Sequence, residues 1–107
     1  MLVCGDEGAR IAGTQDALDV IGAAFSQAEI VAVPVDRFDE RFFTLKTGLA
    51  GEVMQKFTNY RVRLVIVGDI SAHVAASMAL RDLVSESNRG SQVWFVADLE
   101  ELDSRLA

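Results

Sequence analysis

Apolar residues recur along this chain at two alternating periods. Four short runs are apolar at nearly every position or rich in β-branched residues: 1–4, 30–33, 62–67 and 92–96. Their length and composition predict strands. Between them, apolar positions return every three or four residues, as on one face of a helix. Leu18, Ile21 and Phe25 mark a first helix over 15–27, and Leu45, Leu49, Val53 and Phe57 a second. Ala76, Leu80, Leu83 and Val84 mark a third, and Leu99, Leu102 and Leu106 a closing fourth. The order is βαβαβαβα.

Polar residues punctuate this pattern where elements should begin and end. Gly5-Asp6-Glu7-Gly8 is turn chemistry, and Thr14 is placed to cap the first helix, with Asp16 and Asp19 near its positive end. Pro34 ends the second strand because it lacks a ladder donor. Residues 39–43 suit a helical turn whose Phe42 and Phe43 belong in the core. Gly68-Asp69 closes the third strand, whose unbroken apolar run 62–67 predicts a central position covered on both sheet faces. Asn88 and Gly90 fit left-handed C-terminal positions of the third helix. Asp98 and Glu101 have capping-box spacing ahead of the fourth.

Strands and helices alternating through short loops call for right-handed crossovers. The expected architecture is therefore one α/β domain over residues 1–107: a four-stranded, mainly parallel sheet with helices on both faces. In such sheets ligands collect outside the C-terminal strand ends, where strand order reverses. Asp6, Asp36, Asp69 and Asp98 follow those ends, and His73 lies close behind Asp69. Carboxylates are hard ligands suited to Mg²⁺, and a histidine can act as a general base. These residues define a rim site for a small flavodoxin-like enzyme or ligand binder. Asp is also common in turns and caps, and phosphate-loop, dinucleotide and nucleophile-elbow glycine spacings are absent. No metal, cofactor or catalytic residue is assigned.

With 107 residues, half of them apolar, the chain has the size of one domain with one core. The lone Cys4 makes no internal disulfide, and no apolar run reaches the roughly 20 residues of a membrane span. A cytoplasmic protein without a membrane partner is expected. The formal charge of −6 argues against nucleic acid, which is held by neutralising phosphates with Lys and Arg. Against that background, 41–63 is locally basic, with Arg41, Lys46, Lys56, Arg61 and Arg63 against Glu52. This segment suits an acidic ligand or protein partner.

The basic segment also contains Thr47-Gly48-Leu49 at the expected start of the second helix. A hydroxyl there lies where free N–H groups and the helix dipole favour negative charge, although a threonine at 44 or 47 also serves as a plain cap worth about 1 kcal/mol. DALDVIGAAF, FFTLKTGLAGEVMQKFTNYRVRLVIVGDIS, ALRDLVSESNRG and VWFVADLEEL together resemble the bacterial domain of unknown function 4180, over nearly the whole chain. The layout of that family is similar to STAS domains, which include anti-sigma factor antagonists. In those proteins a Ser or Thr in an Asp-Ser-Ser-Gly-Leu-Gly-like turn is phosphorylated by a partner kinase.

The resemblance places Thr47 as phosphoacceptor and implies a regulatory protein partner. Lys46, Gly48, Lys56 and Arg61 form the surrounding docking surface. Two positions depart from the pattern: Leu45 replaces the usual acidic residue, and Lys46 sits beside the hydroxyl. The N-terminal hairpin of STAS domains is clipped here, leaving a strand edge that a homodimer could protect.

Overall fold

The computed structural model describes residues 1–25 and 28–107. Its strands are β1 (Leu2–Val3), β2 (Ile30–Pro34), β3 (Arg63–Val67) and β4 (Val93–Val96). Its helices are α1 (Thr14–Ala24), α2 (Leu49–Asn59), α3 (Ser71–Ala76), α4 (Met78–Arg89) and α5 (Leu99–Leu106). Three 3₁₀ turns, Val35–Arg37, Glu40–Phe43 and Leu45–Thr47, fill the connection from β2 to α2. The sheet is parallel throughout and runs in sequence order, β1-β2-β3-β4.

That order determines where the helices lie. When every right-handed crossover advances in the same direction across a sheet, each deposits its helix on the same face. The larger core accordingly joins Ala17, Ile21, Leu49, Val53, Phe57 and Leu80 from α1, α2 and α4 to Val31, Val33, Leu64, Ile66 and Phe95. The opposite face carries a smaller cluster, Ala32, Val65, Trp94 and Val96 under Leu102 of α5. Helices therefore cover both faces, but unequally. The strand order has no reversal, so the crevice expected from one is not formed.

The central third strand is confirmed, with Leu64, Val65 and Ile66 buried between neighbours on either side. Gly68 ends it at φ +144°, and a Cβ there would come within 2.8 Å of Val35 Cγ2. Only glycine lets the ends of β2 and β3 approach so closely. Phe42 and Phe43 are buried as expected, in an aromatic cluster with Phe38.

Several expected boundaries move. The first helix is flanked by Gly13 rather than capped by Thr14, and the Asp16 carboxylate instead accepts from Ala12 N–H at 2.9 Å. Its expected last two residues, 26 and 27, lie outside the described residues. The second helix starts at Leu49, because Gly48 adopts φ +81° and separates Leu45 from it. The third divides at Ser77, whose hydroxyl accepts from Leu80 N–H and opens a new helix, α4. Gly90 is extended at φ −90°, not left-handed. Asn88 stays helical and turns its amide on the free edge of β4, accepting from Phe95 N–H at 2.7 Å and donating to Phe95 O at 3.2 Å. In the closing helix only Leu102 is buried, while Leu99 and Leu106 stay largely exposed.

Candidate functional site at the start of the second helix

The connection from β2 to α2 crosses the C-terminal rim of the sheet as a series of tight turns. Asp39 opens the second turn by accepting from Arg41 N–H at 3.0 Å and pairing with its guanidinium at 2.9 Å. The Arg41 amide first, and its guanidinium second, hold the Asp39 carboxyl below the usual carboxylate range. Arg10 and Arg37 donate to Phe38 O and to Gly5 O and Ala9 O, and Arg41 also reaches Ala12 O. Three arginines thus tie the 5–12 loop to residues 37–41. They act as fasteners, which removes Arg41 from the free basic surface.

Thr47 closes this series. Its hydroxyl proton is shared between Arg41 O at 2.7 Å and Thr44 O at 2.9 Å, while the oxygen accepts from Leu49 N–H at 3.3 Å. One side chain therefore joins the two preceding 3₁₀ turns to the first turn of α2. Gly48 has no side chain to cap the helix, and the first intrahelical bond at this end runs from Glu52 N–H to Gly48 O. The amides of Leu49, Ala50 and Gly51 precede it and have no intrahelical acceptor. Lys46, Thr47 and Gly48 are all exposed.

The rest of the expected docking surface is split. Lys56 lies in the last turn of α2, about 10 Å of helical rise beyond Leu49, and Arg61 lies just past the helix's C-terminal end. Arg61 is the described non-glycine residue with positive φ, at +58°, and it closes α2 as its amide bonds Thr58 O. An arginine there costs about 1 kcal/mol relative to glycine. Arg63 turns to the opposite face, where its guanidinium lies 4.4 Å from the Trp94 ring centre.

The rim residues are similarly divided. Asp69 and His73 both follow β3, while Asp6 and Asp36 are exposed on the loops after β1 and β2. Asp98 caps α5 by accepting from Glu101 N–H, as the spacing predicts, whereas the Glu101 carboxylate accepts from Ala97 N–H, one residue before the position a full capping box would use. Hydrogen bonds from the side chain and backbone of Ser71 lower the Asp69 pKa, giving this carboxylate a structural role at the start of α3. Among the described residues no three His, Cys, Asp or Glu side chains gather as a metal ion would require.

His73 is stacked on Phe43, ring centres 4.3 Å apart and planes within 15°. This contact could not be read from spacing, because it joins the turn at 40–43 to α3, with α2 and β3 between them in the chain. It places His73 and Lys46 on one open groove of about 480 Å³, with Thr44, Ser77 and alanines of α3 and α4 as further walls. The groove lies beside the start of α2.

A family model described as a domain of unknown function (DUF4180) matches residues 1–106. No curated protein and no solved structure matches the chain.

Proposed function

The chain belongs to the DUF4180 family, and from its geometry we propose a non-enzymatic interaction module, resembling an anti-sigma factor antagonist, that binds a regulatory protein partner through the start of α2 and is switched at Thr47. The observation that carries this reading is the position of the Thr47 hydroxyl, exposed yet joining the turns at 40–47 to the N-terminus of α2, where it accepts from Leu49 N–H. Phosphorylation would remove the proton that Arg41 O and Thr44 O share. It would also set a charge near −2 against those carbonyl oxygens, which repel it. The nearest compensation is the first-turn amides of α2 and the exposed Lys46 ammonium. The group would swing toward the helix, releasing the turns it had fastened and reversing the local charge.

The STAS-like layout, a bacterial origin and a cytoplasmic location belong to this same proposal. So does the partner's character: the basic Lys46 edge suits an acidic protein surface, which a phosphate on Thr47 would repel.

The test is capture of partners by tagged protein in three forms. Thr47→Ser keeps the hydroxyl and should retain the wild-type partner. Thr47→Glu should lose it, and Thr47→Ala should retain it with weakened stability, by about 1 kcal/mol for the lost bonds. Partners identical across wild type and Thr47→Glu would overturn the reading.

A further inference from the structure

Small residues keep a groove open between the turns before α2 and the helices after β3. Ala72 and Ala76 stand four residues apart on α3, with His73 three before Ala76, so all three reach one side of that helix. Ser77 then leaves the helix at φ −145°, and Ala79 of α4 adds to the same wall. Phe43 and Leu45 supply the other wall of an open groove of about 480 Å³. That volume falls within the usual range of small-ligand sites, about 300–1,000 Å³. Three alanines leave it free where longer side chains would fill it.

The polar groups on this groove are of one kind. Thr44, Lys46, His73 and Ser77 line it, each with an N–H or O–H to donate, and among the described lining residues none is acidic. The Lys46 ammonium makes no ion pair among the described residues, where the one such pair joins Asp39 to Arg41. His73 is half-buried and stacked on Phe43, which holds its imidazole at the groove wall. The Ser77 hydroxyl is held too: its oxygen accepts from Leu80 N–H, which leaves its proton to donate. In a chain of formal charge −6, a concave surface bordered by an ammonium and fixed donors favours an anion that the acidic remainder repels. The aromatic and alanine walls favour an apolar body attached to that anion.

We propose that this groove binds a small organic anion, a phosphate or carboxylate carried on an apolar body about the size of a benzene ring. The anionic group would pair with Lys46 and accept from His73, Thr44 and Ser77. The body would lie between Phe43 and the alanines of α3. Thr47 does not line the groove, its hydroxyl being engaged with Arg41 O, Thr44 O and Leu49 N–H. The site therefore goes beyond the switch and stands without it.

The probe is phenyl phosphate, titrated into the isotopically labelled full chain and followed by amide chemical shifts, with benzoate as the carboxylate arm. Benzyl alcohol, a body without charge, and inorganic phosphate, a charge without body, are the controls. Binding should saturate with a Kd of about 1 mM, at least about tenfold tighter than either control. The largest shifts should fall at residues 44–46, 72–73 and 76–79. Lys46→Gln should weaken binding about tenfold and His73→Ala several-fold. Ala76→Leu, which fills the groove from an exposed helical position, should abolish it. Thr47→Ala should bind as wild type does, which keeps a failure of this site distinct from a failure of the switch. The spectrum of each variant reports its fold, and Lys46→Gln, at an exposed position, keeps it. Binding indifferent to Lys46→Gln or to Ala76→Leu would overturn the proposal. So would an equal response to either control, or shifts centred away from the groove.

Discussion

Single residues in this protein carry structural duties that their sequence context does not announce. Gly68 and Gly51 are both small residues next to apolar runs, yet they differ completely. Gly68 sits at φ +144° with Val35 against it, whereas Gly51 lies in the first turn of α2, where an added Cβ would meet nothing within 4 Å. Gly68→Ala should therefore destabilise by about 2 kcal/mol or more, from backbone strain and a clash together (about 1–3 kcal/mol for strain alone). Gly51→Ala should stabilise by about 0.5–1 kcal/mol. Urea denaturation of the two variants checks both signs at once. Thr47 has the same double character: the hydroxyl proposed as a phosphoacceptor is also a fastener, so Thr47→Glu cannot leave stability wholly unchanged.

At the scale of elements, the two sheet edges are finished differently. β4 is closed by the Asn88 amide, which supplies both partners that Phe95 would seek from another strand. β1 is only two residues long, which limits what it can template. Asn88→Ala should cost about 1–3 kcal/mol by leaving Phe95 N–H and O without their partners. It should also promote aggregation through the reopened β4 edge, measured by thermal denaturation with light scattering. Periodicity located all four strands, four of the five helices and most buried faces, because burial imposes it directly. It could not separate Leu45 from α2, since an apolar residue four positions before a helix is compatible with the helix continuing. Only the left-handed Gly48 breaks it. The division of the third helix at Ser77 was hidden for the same reason: a serine inside a periodic run reads as a solvent-facing position until its hydroxyl is seen accepting from Leu80 N–H.

At the scale of the whole molecule, strand order is the property that matters most for function. Alternating elements imply a parallel sheet, but not which strands are neighbours, and the sequence-order arrangement follows from side-chain packing that no local pattern records. With no reversal of strand order, Asp6, Asp36, Asp69 and His73 are distributed along the rim rather than converging in a crevice. His73 instead shares a groove with Lys46, ahead of the start of α2. The same order leaves the second face to α5 alone, with Leu102 packed on Ala32, Val65, Trp94 and Val96.

The most direct test of the switch is mass spectrometry of Thr47 in protein purified from its native cells, with the partner-bound and free pools separated beforehand. A working switch predicts a phosphoryl group on Thr47 in the free pool and an unmodified hydroxyl in the bound pool. Unmodified Thr47 in both pools, or equal occupancy in the two, would contradict it.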